Sequence, residues 1–536
     1  MTSIKDIFNI KNYTPKTLIL AFSLLCLSFA PLFFNFIWGN HDWMPMLNHS
    51  HLGSGLIEGR MTQYIFLVLL LGGKLLPILN FAIGFFAYTI ALIILSKYFF
   101  EFPPSQSKYT LIICTIATLP FINEITYFHF IILSQLIWTL TIAISLICAQ
   151  KATTAHFGFY TFLSTLFLTL SISGYPACAN LFITSTILYA IKLNSQKQTY
   201  TKLIKNLTPF IISFLISFTF LYIAYQYMLK NNIMINSYNN ATLSIIEVFK
   251  NIPYVLKNSI ISLIQPQPFF SLTFKLITFF IIIYYIISYF ASYTSKSDYF
   301  IRFSLILALF IGLKFSALLI NENHTNYFAE RDPISFAIRT DFFSVPTFLM
   351  FALTSLASSS YRFNKNLCSI VCAFLLIINI NSNLHYSKIQ IFGFKSETNL
   401  MERMINRIQS DENYIPQNLY TFVQLGEITL RPKFYTPSKY EKFGFYTLKT
   451  SYMRYWIANE FHNFYLPFSF ILQGQSINPD NVTPPLANFI IYENNLWPSP
   501  YSTYVDNKHI IISTARTEKN MMSDQFKKLT ESLPKW

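Results

Sequence analysis

The sequence predicts an α-helical polytopic membrane protein with a C-terminal mixed α/β domain outside the bilayer. Three observations predict it. Hydrophobic residues make up 53% of the 536 residues and charged residues only 12%, against about 25% charge in a soluble globular domain. Apolar runs long enough for a helix to cross the hydrocarbon recur through the chain as far as residue 383. From residue 384 onward those runs stop, and charges, Pro and Asn rise. The same figures exclude an ordinary soluble enzyme and a disordered or fibrous chain.

Eleven spans are expected, at roughly 17–38, 75–96, 109–122, 128–150, 156–174, 176–191, 207–228, 270–292, 303–320, 342–359 and 367–383. The third and sixth are short. The fifth and sixth meet at Tyr175-Pro176, which reads as a tight outer hairpin. Met61 to Leu71 is apolar but too short to span, and suits the interface. The first span follows Lys5, Lys11 and Lys16 without a convincing small-residue cleavage site, so it reads as a retained anchor.

Basic residues favour cytoplasmic loops. With the N-terminus inside, the cytoplasmic loops hold fourteen basic residues against three acidic, and the other positions before residue 384 hold nine against eight. The net charge of +15 is therefore mostly a topology signal, and no nucleic-acid partner is expected. An odd number of spans places the C-terminus outside. The chain thus divides into a membrane domain, 1–383, and an outer domain, 384–536. In the latter, Asn418–Leu425 and Asn488–Tyr492 read as strands and Glu397–Gln409 as a helix.

All six cysteines lie in or beside spans, which excludes a disulfide framework in the outer domain. No Cys/His spacing suggests zinc, and no P-loop or dinucleotide fingerprint is present. Cys368 and Cys372 are one helical turn apart and read as small core residues.

Chemistry concentrates in the outer segments. The loop after the first span runs His41-Asp42-Trp43 and continues through His51 to Glu58-Gly59-Arg60. Asp42 follows the span almost directly, so the helix end fixes its depth near the membrane surface, with Trp43 at the interface. A second outer loop carries Arg331, Arg339 and Asp341, and arginine suits phosphate through paired hydrogen bonds. Lys314, within Gly312-Leu313-Lys314-Phe315, is the deepest charge, and charges at membrane depth are often functional. Lys74 and Lys275 stand near span ends, where snorkelling accounts for them. Glu124 and His129 could line a cavity.

An outer loop with an acid next to Trp, followed by an acid-Gly-Arg, resembles the Gtr-type O-antigen glucosyltransferases of the GT-C class of polytopic membrane glycosyltransferases. Leu168 to Ala177 is similar to that group's Leu/Ser-rich span, and the loop from Pro333 to Arg339 is similar to its late Arg-bearing loop. Two positions depart from the pattern. His41 stands where the group has its first acid, and Pro176 where it has Gln.

The resemblance implies a GT-C-like fold in the bacterial inner membrane, with the C-terminal domain periplasmic. It implies transfer of a hexose, glucose in that group, from a polyprenyl-phosphate sugar to a surface glycan such as O-antigen. Asp42 would then be the base and Glu58 its runner-up. Arg60, Arg331, Arg339 and Lys314 would hold the departing phosphate. His41, Trp43, His51 and Glu124 would orient substrate. No metal ligand set is expected, and a divalent cation stays open as a cofactor. Three alternatives remain. An O-antigen polymerase or ligase would need a large outer loop between spans. A transporter or flippase would need related halves and midplane ion sites. An inert scaffold would leave the Asp42 loop without a task.

Overall fold

The computed structural model describes residues 14–35, 60–70, 77–99, 105–126, 132–233, 245–264, 270–292, 295–318, 340–359, 361–425, 471–474 and 502–513. It divides into two units, Met1–Ser387 and Lys388–Trp536.

The first unit is helical. In chain order its helices are α1 (Thr14–Ser28), α2 (Ala30–Phe34), α3 (Met61–Tyr64), α4 (Pro77–Phe99), α5 (Gln106–Ala117), α6 (Asn123–Thr126), α7 (Ile132–Ala152), α8 (Phe157–Gly174), α9 (Ala179–Ser195), α10 (Tyr200–Lys230), α11 (Ile245–Ile264), α12 (Leu272–Ala291), α13 (Lys296–Leu313), α14 (Phe315–Leu318) and α15 (Val345–Ser358). The next, α16 (Arg362–Gln409), contains the boundary between the units.

Among the described residues, eight helical segments are long and apolar enough to cross a membrane: Ile78–Ser96, Ile132–Ala152, Phe157–Gly174, Pro176–Ser195, Tyr200–Lys230, Leu272–Ala291, Thr340–Ser358 and Phe363–Phe392. The chain is therefore a multi-pass helical protein of membrane type. The other three expected spans are also helical, but each falls short. The first is broken at Phe29 into α1 and α2, with Pro31 in the first turn of α2. The third is the 12-residue α5, stopped ahead of Pro120, which cannot continue an α-helix. The ninth begins earlier than expected, at Lys296, carries Lys296, Asp298 and Arg302, and breaks at Lys314.

Two further differences concern helices. α11 lies between two expected spans, where no element is expected, and its Asn251 and Ser259 donate to Leu318 O (3.2 Å) and Phe310 O (2.7 Å), seating it along α13 and α14. The expected span 367–383 and the expected helix Glu397–Gln409 are one continuous helix, because no proline interrupts α16.

One helix inverts the soluble pattern. On α10, Ile211, Leu215, Phe220 and Ile223 are exposed while Ser213 and Ser217 are fully buried. Ser213 Oγ donates to Thr161 O (3.4 Å) and Ser217 Oγ to Thr165 O (3.2 Å), both on α8. Lipid is as apolar as leucine, so small residues and hydrogen bonds hold such helices together. Close approach matters at Gly174, where an added Cβ would fall inside the Trp138 indole.

The break after α5 frees carbonyls inside the bundle, where Thr115 and Thr118 are fully buried and each carbonyl must find a donor. α16 supplies them. Asn379 Nδ2 donates to Thr115 O (3.1 Å) and Asn383 Nδ2 to Thr118 O (2.9 Å), while Asn123 Nδ2 donates to Asn383 Oδ1 (3.0 Å). A run that composition reads as a span, Ile378-Asn379 through Asn383, thus carries a polar seam at helical spacing.

The second unit contains a four-stranded sheet of order β2-β1-β4-β3, formed by β1 (Leu419–Leu425), β2 (Ile471–Gly474), β3 (Thr503–Val505) and β4 (His509–Ser513). β1 pairs in parallel with β2 and β4, and β3 is an antiparallel edge on β4. The expected strand at Asn418–Leu425 is β1. The one expected at Asn488–Tyr492 lies outside the described residues. β4 reads His-Ile-Ile-Ile-Ser, with His509, Ile510 and Ile511 all buried, as a central strand covered on both faces requires.

Candidate functional site

Two long connections, 36–59 and 319–339, leave the described bundle at Asn35 and Leu318 and re-enter it at Arg60 and Thr340. They carry most of the residues singled out above. The side chains around the two re-entry points are joined by a chain of contacts.

Arg60 precedes α3 with non-helical backbone. Its guanidinium carbon lies 5.3 Å from the centroid of the Tyr175 ring, within range of cation–π attraction. Thr62, two residues on, hydrogen-bonds Ser173 at the end of α8. Tyr175 is extended (φ −154, ψ 109), because a residue before proline is pushed out of the helical region. That turn carries its ring to 5.7 Å from Phe343. Phe343 belongs to the turn Thr340-Asp341-Phe342-Phe343 that leads into α15.

Lys314 occupies the break between α13 and α14. Its Nζ lies 2.5 Å from Asp341 Oδ1 and donates to Thr340 Oγ1 at 2.8 Å. The contact with Asp341 is a close ion pair, and neither carboxylate oxygen receives an aligned hydrogen bond. Both side chains are almost fully buried, at 3% and 1% exposure. Asn180, in the first turn of α9, ties the pair to the hairpin. Its Oδ1 accepts from Ser316 N (2.7 Å) and its Nδ2 donates to Thr340 O (3.5 Å). Ser344 Oγ donates to Leu313 O (2.9 Å), satisfying a carbonyl freed by the break.

Lys275, in the first turn of α12, interacts electrostatically with both Asp341 and Lys314. It does not snorkel. It is buried, with Nζ 4.5 Å from the Phe270 ring centroid and 5.8 Å from that of Phe121. Among the described residues, Lys275 and Lys314 thus both lie in reach of the Asp341 carboxylate.

Of the expected site residues, Arg60 and Lys314 are described and stand on this connected surface. Glu124 is in α6, beside Asn123, and nothing is described of its side chain. His41, Asp42, Trp43, His51, Glu58, Arg331 and Arg339 lie outside the described residues. Among the described residues no group of three or more His, Cys, Asp or Glu could hold a metal ion. Cys368 and Cys372 are buried with their sulfurs 4.0 Å apart, and the Cys368 thiol donates to Leu353 O.

Asp341 was the residue that sequence reasoning passed over as a partner for Lys314. A signal existed. A lysine closing one span and an aspartate opening the next, across a single outer loop, stand at the same depth. Comparison of the chain with family models, with curated proteins and with solved structures gives no match.

Proposed function

We propose that this chain is a membrane glycosyltransferase that moves a hexose from a polyprenyl-phosphate sugar to a surface glycan on the outer face of the bacterial inner membrane. One observation carries the reading. Arg60, Tyr175, Phe343, Asp341, Lys314 and Lys275, from five separate parts of the sequence, meet at one end of the bundle where both chemistry-bearing connections begin and end.

In this reading eleven helices cross the membrane, the N-terminus is cytoplasmic and residues 384–536 form a periplasmic mixed α/β domain. Asp42 accepts the proton of an acceptor hydroxyl. The hydroxyl oxygen bonds to the anomeric carbon as the bond from that carbon to the phosphate oxygen breaks. The electron pair leaves with the polyprenyl phosphate, and the anomeric centre inverts. Arg60, Arg331 and Arg339 stabilise the departing phosphate. Lys314 contributes as part of a cluster whose carboxylate, Asp341, pairs with it and holds it in place, while Lys275 supplies further positive charge. Glu58 is the second candidate base. His41, Trp43, His51 and Glu124 orient the sugar.

The test compares surface glycan from a deletion strain complemented with wild type or with Asp42→Asn. Wild type restores a sugar branch and Asp42→Asn does not. Full restoration by Asp42→Asn removes Asp42 as the base, and an unchanged glycan in the deletion strain removes the reading. The buried Lys314–Asp341 pair also favours a second reading, a lipid flippase, because transporters place ion pairs within the membrane. Turnover of a synthetic polyprenyl-phosphate sugar by the purified chain, without a membrane to cross, separates transferase from flippase.

A further inference from the structure

The other end of the bundle holds a second polar feature that the proposed reaction does not use. α12 carries Lys275 near its start and Tyr289 fourteen residues later, so the two ends lie roughly 21 Å apart along the helix. There, α9, α12, α15 and the first turn of α16 enclose a cleft of about 280 Å³. Its floor is aromatic and buried. The rings of Tyr285 and Tyr289 stack with centroids 6.3 Å apart, and Phe351 meets Tyr285 edge-on at 5.4 Å. Its rim is hydroxylated, with Ser195, Ser288, Ser292 and Tyr284 exposed. Ser288 and Ser355 make no hydrogen bond among the described residues, so both hydroxyls are open to a ligand or water.

Charge narrows the ligand. α9, α12 and α15 all end here, and their C-terminal carbonyls disfavour a bare anion. Arg302 offsets this at α12. It donates to Tyr289 O, to Ser292 O (3.2 Å) and to Ser292 Oγ (2.6 Å), while pairing with Asp298 at 3.1 Å. Lys192, in the last turn of α9, brings a second cation into the wall itself. Asn364, in the first turn of α16, adds the favourable helix end. Stacked tyrosines and hydroxyls suit the two faces of a polyol, and the Lys192 ammonium in the wall suits one phosphate. The flank of α12 beside the cleft exposes Ile287 (61%) and Tyr284 (38%), an apolar surface that suits lipid chains.

We propose that this cleft binds the polyhydroxylated phosphate headgroup of a membrane lipid in the leaflet opposite the Lys314–Asp341 pair. The headgroup hydroxyls pair with Ser288, Ser355 and Tyr284, its carbon face lies on Tyr285 and Tyr289, and its phosphate meets Lys192. The site is separate from the proposed donor site and stands whether or not that reading holds.

Native mass spectrometry of the detergent-purified full chain tests it, with phosphatidylglycerol, a polyprenyl-phosphate hexose or phosphatidylcholine added. The wild type is expected to retain one of the two hydroxylated lipids about tenfold over phosphatidylcholine, a ratio expected of the headgroup-hydroxyl hydrogen bonds that phosphatidylcholine, with a phosphate but no headgroup hydroxyl, does not make. Which lipid is retained identifies the source. Ser288→Phe abolishes the preference, and Lys192→Gln lowers retention of all three phosphate-bearing lipids. Ser288 is exposed on its helix, so Ser288→Phe fills the cleft without disturbing the core. No preference over phosphatidylcholine overturns the proposal. So does an unchanged preference in Ser288→Phe, or unchanged retention in Lys192→Gln, if that variant keeps the wild-type unfolding midpoint.

Discussion

At the scale of the residue, a buried ion pair is judged by what happens when one partner is lost. Lys314 and Asp341 are both almost fully buried. Removing one leaves an uncompensated charge, at a cost of about 3–5 kcal/mol, whereas replacing both by apolar residues is often close to neutral. Asp341→Asn also removes the carboxylate that attracts both Lys275 and Lys314, leaving their mutual repulsion. We therefore expect Asp341→Asn to lower the unfolding midpoint clearly, Lys314→Met to lower it less because Lys275 remains as a counter-charge for the carboxylate, and Lys275→Met/Lys314→Met/Asp341→Leu to recover most of the loss. Glycan assays on the recovered triple variant separate the roles. A stable but inactive triple variant assigns the cluster to function, and a stable active one assigns it to packing. A second residue-scale prediction concerns Lys197. It closes α9 with φ 57, and Gln198 N reaches back to Leu193 O at 3.4 Å. That is the pattern of a helix end that glycine serves best. Lys197→Gly is expected to stabilise the protein by about 1 kcal/mol, read as a raised unfolding midpoint. Asn232, at the end of α10, has the same backbone (φ 55) and already carries a residue that tolerates it.

At the scale of the element, the turn between β3 and β4 is set by Asp506. Its Oδ1 accepts from Lys508 N (2.7 Å) and His509 N (2.6 Å), and both carboxylate oxygens lie 3.1 Å from His509 Nδ1. Burial alone would push the carboxyl up. The His509 side chain and the two backbone N–H groups outweigh it and hold the group below its ordinary 3.8. A depressed carboxyl stabilises the folded form above its unfolded value, and that contribution is lost as pH falls through the folded one. Hydrogen exchange across residues 502–513 is therefore expected to stay slow at neutral pH and to accelerate below pH 3.8, once intrinsic rates are corrected. Asp506→Asn, which cannot titrate, is expected to flatten that pH dependence. The helices carry a related lesson. The hydropathy of α5 and α13 suggests spans, yet Pro120 shortens the first, and Lys296, Asp298 and Arg302 make the second too polar. Their ends are tolerable because α16 and α15 bring Asn379, Asn383 and Ser344 to the freed carbonyls. Composition along one helix does not register donors that arrive from another.

At the scale of the whole molecule, the charge asymmetry makes a directional prediction. Gln196, after α9, belongs with the basic loops, and Asn231, after α10, lies at the other end of that span. Both are exposed. Five of the six native cysteines are buried and Cys26 is intermediate. In a Cys26→Ser background, an impermeant maleimide is expected to label Asn231→Cys in intact cells and Gln196→Cys only after permeabilisation. The reverse pattern would invert the proposed topology and place the Arg60–Lys314 end inside.

The sequence by itself determined that this chain is a multi-pass helical protein, because apolar runs near twenty residues long have few other stable fates. It also marked Arg60 and Lys314, since a charge beside or within such a run is costly enough to need a reason. Only the tertiary structure decided that Asp341 answers Lys314, that Lys275 is buried rather than snorkelling, and that Tyr175 joins Arg60 to Phe343. It alone showed that stacked tyrosines and serines from three helices make a cleft at the opposite end. The physical reason is one of range. Membrane burial is written into each segment separately, through the length and polarity of that segment. Which charge meets which, and which hydroxyls share a cavity, depends on helices far apart in the chain and close in space.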